Sequence, residues 1–236
     1  MKPPQSLLRL RGIGRRYGPP ESAVHALRDI DLEIEQGAFA AIVGPSGCGK
    51  STLLHLCGGM DRPTSGELWL GAERLDALDE ERLARVRRDR VGFVFQSFNL
   101  LPTLTTAENI ALPLLLAGTT LEEAEPRARQ LAQRVGVDHR LRQFPAQLSG
   151  GEAQRAAIAR AVIHAPEIVI ADEPTGNLDS ANGERVLTLL RELNAESRVT
   201  ILLATHAAEL ASAADRVIHL RDGRLERIDH SARTAG

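Results

Sequence analysis

Lysine is almost missing from this 236-residue chain: of 29 basic residues only Lys2 and Lys50 are lysine, and the rest are arginine. A genome-wide composition bias explains the pattern as a whole. It also makes Lys50 conspicuous, because a compact ammonium fits a tight loop that a planar guanidinium fits poorly. Cysteine is scarce too. Cys48 and Cys57 form neither a metal-ligand spacing nor a disulfide framework, so a reducing, cytosolic setting is expected. Charge of one sign does not accumulate either. The net charge of −2 gives no global basic footprint for nucleic acid. The local cluster Arg82, Arg85, Arg87, Arg88 and Arg90 reads as a solvated helix face, and no nucleic-acid partner is expected. Long apolar runs are absent. A stretch such as Ile110 to Ala117 is far short of the roughly 20 residues that span a bilayer, and Pro113 interrupts it. The first residues, Met1 to Leu10, lack the apolar core of a signal peptide. The chain is therefore expected to be soluble by itself, with any membrane role supplied by a partner. At 43% hydrophobic it can bury the core of one domain with a subdomain.

Asp29 to Glu35 alternates strictly, with Ile30, Leu32 and Ile34 apolar, and predicts a half-exposed antiparallel strand. Phe39 to Val43 is continuously apolar, as in a strand covered on both faces, and leads into a glycine-rich loop and a helix from Thr52 to Cys57. Ile168 to Ala171 and Val199 to Ala204 read as further buried strands. Strands alternating with helices imply an α/β fold with a mainly parallel sheet. From Leu101 to Val162 the signals are mostly helical. Thr105 with Glu108 and Thr120 with Glu123 have capping-box spacing. Asp222-Gly223 between Val217–Leu220 and Leu225–Ile228 signals a hairpin. The tail His230 to Gly236, small and polar, is expected to fray.

Gly44-Pro45-Ser46-Gly47-Cys48-Gly49-Lys50-Ser51 has the P-loop spacing, after a buried strand and before a helix. Its backbone N–H groups and the helix N-terminus attract phosphate. Lys50 is expected to reach the β- and γ-phosphates and the Ser51 hydroxyl to bind Mg²⁺, with Thr52 completing the nucleotide site. Asp172, emerging from the strand Ile168 to Ala171, is the second Mg²⁺ residue. Glu173 beside it is placed to polarise an attacking water as general base. The run Leu148-Ser149-Gly150-Gly151-Glu152-Ala153-Gln154-Arg155 opens another helix with small residues, a second anion site for the same phosphates.

Together these motifs resemble the ATPase subunit of an ATP-binding-cassette transporter, over roughly Leu7 to Leu225. The resemblance implies a P-loop NTPase core with a mainly parallel sheet, an N-terminal antiparallel β region and an inserted helical subdomain. The whole chain, 1–236, is then one domain, with the α/β core at about 1–95 and 163–236 and the helical subdomain at about 96–162. It further implies that Tyr17 stacks on adenine. Gln96 is implied to sense Mg²⁺ and water, His206 to contact the γ-phosphate, and Asp179 to communicate across a dimer. The run from Leu148 to Glu152 is implied to act in trans, on ATP held by a second, head-to-tail chain. A groove near Gln96, Phe98 and Leu101 is implied to take an integral membrane permease, placing the chain peripherally at the cytoplasmic face of the membrane. Phe95 to Thr105 together with Gly176-Asn177-Leu178-Asp179 resembles the branch of lipoprotein release, macrolide-type export and the cell-division pair. Two positions depart from the pattern: Cys48 fills a variable loop position, and Ala207 follows His206 where the family usually has an acid.

Two other classes share these motifs. Cassette ATPases of DNA repair or chromosome organisation carry a coiled coil or a zinc insert between Lys50 and Ser149, and this chain has no heptad run or cysteine cluster there. A regulatory ATPase of the cell-division type, signalling through a permease-like partner without moving cargo, stays open on the sequence.

Overall fold

The computed structural model describes residues 6–206, 211 and 214–230. Ala207 and residues 231–236 of the tail lie outside the described residues. Two sheets organise the chain. The first is antiparallel, in the order β2-β1-β4-β5, from β1 (Ser6–Tyr17), β2 (Val24–Glu35), β4 (Ser65–Leu70) and β5 (Glu73–Arg74). The second has the order β10-β9-β3-β8-β7-β6. Its strands β3 (Phe39–Val43), β6 (Val91–Phe95), β7 (Ile168–Asp172), β8 (Thr200–Ala204) and β9 (Arg216–Arg221) run parallel, and β10 (Arg224–His230) closes the edge antiparallel. Asp222 and Gly223, both at positive φ (49° and 75°), form the β9–β10 turn, the geometry that matches strand twist in a two-residue hairpin.

The alternation predicted for Asp29 to Glu35 holds from Ile30 onward. Ile30, Leu32 and Ile34 are buried and the residues between them face out. Asp29 itself has φ 52° and marks an irregularity opposite the shift between Leu10 and Ile13. The continuous apolar runs β3, β7 and β8 are buried throughout or nearly so because helices cover both faces of the parallel sheet. On one face, Ile42, Ile170 and Leu202 join Leu53, Leu54 and Leu56 of α1 (Lys50–Cys57) and Leu8, Leu10 and Ile30 of the antiparallel sheet. The helix begins two residues before the expected Thr52, because Gly49 serves as its N-cap. On the other face, Ala41, Val169 and Leu203 pack with α3 (Thr106–Leu116), α4 (Leu121–Val135), α5 (Gly150–Val162) and α6 (Ser180–Ser197).

Thr105 and Thr120 each make the reciprocal capping box with Glu108 and Glu123. The remaining helix, α2 (Glu80–Arg90), is capped by Asp79. Its arginines are matched one by one: Arg82 with Asp79, Arg85 with Glu81, Arg87 with Glu80, Arg88 with Asp89, and Arg90 with Glu73 and Glu167.

Register places the functional edge. Ile42 pairs with Ala204, Ala204 with Asp172, and Asp172 with Phe95. The residues that follow these strand ends, Gly44, Thr205, Glu173 and Gln96, therefore lie along one carboxyl-terminal edge, where open α/β sheets bind ligands.

Ile158 on α5 is fully buried in the cluster shared by the helices and the sheet. Ile158→Ala is expected to cost about 2–5 kcal/mol. Urea unfolding should show this as a shift of a single transition. A separate early transition carrying the whole loss would contradict a shared core.

Candidate nucleotide site

The loop after β3 is held open by backbone geometry. Gly49 has φ 106°, and a Cβ there would lie 2.5 Å from the Ala26 carbonyl oxygen; only glycine fits. Lys50 is 5% exposed, and its Nζ donates to the carbonyl oxygens of Gly44 and Pro45 at 3.0 Å each. An ammonium has three donors, so one remains for a phosphate oxygen, and no carboxylate pairs with it among the described residues. Pro45, Ser46 and Gly47 are exposed and leave their backbone open to an anion. Cys48 differs from its neighbours. Its thiol is buried in the core cluster beneath the loop, and its carbonyl accepts from Gly223 N at 3.1 Å. Thr52, the third residue of α1, is half-buried.

The Ser51 hydroxyl donates to Asp172 Oδ1 at 3.2 Å, bringing α1 and β7 together. A hydroxyl and a single carboxylate suit Mg²⁺, a hard cation that keeps several waters and takes its other oxygens from substrate phosphates. No cluster of three or more acidic, His or Cys ligands occurs among the described residues. Glu173 follows Asp172 at φ 46°, a conformation that costs a non-glycine residue on the order of 1 kcal/mol. The turn is fixed by Glu173 N donating to Ala204 O and Gly176 N to Glu173 O. It aims the Glu173 carboxylate at His206, with Oε1 2.6 Å from Nε2.

Gln96 lies at the same edge. Its Nε2 donates to Asn177 Oδ1 at 3.2 Å, and Asn177 Nδ2 donates back to the Gln96 carbonyl at 3.0 Å. Asp179 caps α6, accepting from Asn182 N at 2.9 Å and Asn182 Nδ2 at 2.7 Å. Tyr17, at the end of β1, is 38% exposed. Its hydroxyl donates to Asp61 Oδ2 at 2.6 Å.

The Leu148–Arg155 run is at the opposite side of the sheet, because α5 belongs to the other apolar cluster. Ser149 is the N-cap of α5. Its Oγ accepts from Glu152 N at 3.3 Å and donates to Glu152 Oε2 at 2.9 Å, while Ser149 N donates to the same carboxylate at 2.8 Å. Arg140 Nε donates to Glu152 Oε1 at 2.8 Å. The Ser149 backbone N–H first, and Arg140 next, pull the Glu152 carboxyl down to about 2. Leu148 precedes the cap. Gly150 faces Leu178 and Phe98, and Gly151 lies against Asn182, so the Leu148–Glu152 run touches the loops carrying Gln96 and Asp179.

A groove of about 630 Å³ lies beside α2, β6, α3 and α5, lined among others by Phe93, Phe95, Leu112, Leu116 and Arg160. Phe95 and Asn99, which adjoin Gln96 and Phe98 in the sequence, line it, while Gln96, Phe98 and Leu101 themselves do not. Gln96 is turned to Asn177 and Phe98 to Gly150. Four contributors were missed in the sequence: Asn177, Asn182, Arg15 and Asp61. Asn177 stood within a quoted motif, but its partner is 81 positions away, and no local pattern encodes that distance.

The sequence matches the ABC transporter family over residues 27–176. It is 46% identical over 221 residues to the lipoprotein-releasing system ATP-binding protein LolD of Pseudomonas fluorescens, covering 94% of this chain and 97% of that one. It is also 46% identical over 222 residues to the macrolide export ATP-binding/permease protein MacB 2 of Aeromonas hydrophila, covering 94% of this chain and 34% of that longer protein. Among solved structures, the ATP-binding cassette MJ0796, a dimer in a post-hydrolysis state bound to ADP and Pi, superposes with a TM-score of 0.88 at 40% identity. That match covers 94% of this chain and 98% of that one.

Because the folded Glu152 carboxyl titrates near 2 rather than near its ordinary 4.5, its contribution to stability is complete above the ordinary range. It is lost as pH falls through about 2. Between those two values wild type should lose more stability than Glu152→Gln, as read by urea midpoints along an acid series. Parallel acid limbs for the two proteins would contradict the assignment.

Proposed function

The chain belongs to the ABC transporter family, and we propose that it acts as the ATP-hydrolysing subunit powering a separate membrane permease. It is an ATPase of the type found with lipoprotein release and macrolide export. The cargo class we propose is a lipoprotein or other lipophilic substrate, in keeping with the relatives named above. No helix among the described residues is long and apolar enough to cross a membrane. We place the chain peripherally, at the cytoplasmic face, held by its permease. The groove lined by Phe93, Leu116 and Arg160, beside the helices of residues 96–162, is the proposed seat of a permease segment.

The observation that carries this reading is the placement of two helix N-termini suited to phosphate. α1 and α5 pack on opposite faces of the parallel sheet, which favours a phosphate site shared between two chains over one closed within a single chain. Two chains packed head to tail supply it: each ATP lies between one chain's Gly44–Thr52 and its partner's Leu148–Glu152. MJ0796 is itself a dimeric cassette. ATP is then the adhesive of the dimer, and its hydrolysis releases the chains.

In the proposed reaction Lys50 and the loop amides hold the phosphates, and Tyr17 stacks on the adenine. Ser51, Asp172 and Gln96 would hold Mg²⁺, which when bound would supply neutralisation of charge on the transferred phosphoryl group. Glu173 accepts a proton from the attacking water as its oxygen bonds to the γ-phosphorus and the bond to the ADP oxygen breaks. His206, 2.6 Å from Glu173, orients that carboxylate and meets the γ-phosphate. Asp179, at the head of α6, carries the state of one site to the other.

Glu173→Gln should bind ATP and remain dimeric by size-exclusion chromatography, with turnover lowered on the order of 10²-fold or more; a wild-type rate would remove Glu173 from the base role. Complementation tests the shared site. Lys50→Ala and Ser149→Arg should each be inactive alone, and mixing them should restore part of the activity. The restored site pairs the intact loop of one chain with the intact Ser149 of the other. A mixture as inactive as its components would mean that each site belongs to one chain.

A further inference from the structure

We propose that Arg15 and Asp61 are positioning residues for the nucleotide base, clamping the Tyr17 ring at its back face and its hydroxyl so that the open face becomes a fixed platform. This rests on the reading of Tyr17 as the adenine-stacking residue. The Arg15 guanidinium carbon lies 4.4 Å from the Tyr17 ring centroid. Asp61 Oδ2 accepts the Tyr17 hydroxyl at 2.6 Å, and Asp61 Oδ1 pairs with Arg15 at 2.7 Å. The three side chains close a ring of contacts across 46 residues of sequence. Arg15 and Asp61 are largely shielded, at 22% and 23% exposure, so their pair is screened less by solvent than a surface ion pair.

Each freedom of the tyrosine is accounted for. The cation over one face fixes the ring plane, and the carboxylate at the tip fixes the direction of the ring axis. The ring is nonetheless 38% exposed, and with one face covered by Arg15 the other is the face left open. A cation on the back face also draws π density toward itself. The front face is thereby made electron-poorer, which favours stacking with an electron-rich purine.

The surrounding backbone supports the same purpose. Arg62 N donates to Asp61 Oδ1 at 2.8 Å, Arg16 N to Thr64 Oγ1 at 3.0 Å, and Thr64 N to Gly14 O at 2.8 Å. The end of β1 is thus pinned to the segment that follows α1. Since α1 starts at Lys50, a rigid helix of about 12 Å connects the phosphate loop to the segment that clamps the base platform. Phosphate and base subsites are held at a set spacing by one element.

The test is equilibrium binding of ATP and of inorganic tripolyphosphate to the full chain and its variants. Arg15→Gln and Asp61→Asn are expected to weaken ATP about fivefold or more and to leave tripolyphosphate binding unchanged. Catalytic turnover at saturating ATP should also stay near wild type, so the loss appears in KM and not in kcat. Equal losses for both ligands, or none for either, overturn the proposal, since a brace of the fold would weaken both. Tripolyphosphate binding certifies a folded loop in each variant, and the isosteric Asp61→Asn supplies the readout if Arg15→Gln does not fold. Tyr17→Ala separates the two levels. If it binds ATP as wild type does, the base does not lie on Tyr17 and both ideas fall. If it binds ATP weakly while Arg15→Gln and Asp61→Asn bind normally, only the clamp falls.

Discussion

The ammonium of Lys50 is buried at the junction of β3 and α1, and the surrounding architecture serves to make that tolerable. Burying an unpaired charge costs several kcal/mol. Two carbonyl oxygens, those of Gly44 and Pro45, offset part of this cost, and they can do so only because the loop folds back over the side chain. The fold-back requires the left-handed Gly49 and its close approach to Ala26. Ala26 belongs to β2, so the antiparallel sheet is a wall of the phosphate loop. The remaining donor of Lys50 faces a site where an anion is the natural partner. A chain that uses arginine nearly everywhere else keeps lysine here because three tetrahedral donors fit two carbonyls and a phosphate, whereas a planar fork does not.

A second set of contacts joins the nucleotide edge to the groove proposed for the permease. Phe98 and Asn99 are consecutive non-glycine residues at positive φ, 61° and 49°. Their carbonyls accept from Arg160 of α5 at 2.8 and 2.5 Å. Burial lowers the pKa of Arg160, but a guanidinium remains charged, and it has no carboxylate partner among the described residues. It therefore clamps a strained loop with one side of its head while lining the groove. That loop starts at Gln96, which is tied to Asn177, and Asn177 adjoins Leu178, packed on Gly150. A segment seated in the groove would thus press on Arg160 and, through it, on Gln96 and on the start of α5. The contacts form a contiguous physical path, which is a necessary basis for coupling between groove and site.

What the sequence disclosed was whatever is encoded locally. The β3–loop–α1 unit, the Thr105 and Thr120 capping boxes and the Asp222-Gly223 hairpin are all set by residues within a few positions of each other, and each formed, with α1 starting two residues early. The N-terminal antiparallel region came from the resemblance and not from any pattern in β1 itself, because register shifts between Leu10 and Ile13 and again before Arg15 break the alternation that would have signalled the strand. The side-chain pairs that finish the site were equally silent. Gln96 with Asn177 and Tyr17 with Asp61 are separated by 81 and 44 positions, whereas Ser51 and Asp172, 121 positions apart, had been expected together at one Mg²⁺ site. Each depends on strand order, and strand order is a property of packing two sheets around α1, not of any short motif. Phe98 shows the same dependence: a left-handed backbone turns it back onto Gly150, a contact that no short motif encodes.

The hydroxyl of Ser149 shows how a stabilising contact can also be a switch. A serine has one proton to donate, and here it is given to Glu152 Oε2. For Ser149 to donate to a phosphate of the partner's ATP, that proton must leave Glu152. The exchange is inexpensive because Glu152 keeps the Ser149 backbone N–H and Arg140, the two contacts that do most to hold its carboxyl ionised. Glu152 therefore does not need to take up a proton when the hydroxyl turns away. The Oγ acceptance from Glu152 N, at 3.3 Å, can persist, since it uses a lone pair and not the proton. In the proposed closure the helix start would stay capped throughout, and only the donor would change its partner. An uncapped Gly-Gly start would offer the same N–H groups but would fray at about 1 kcal/mol of cost. A permanently engaged serine would cap equally well and bind no phosphate. In the proposed head-to-tail site, the glutamate three residues on is what would allow one side chain to do both.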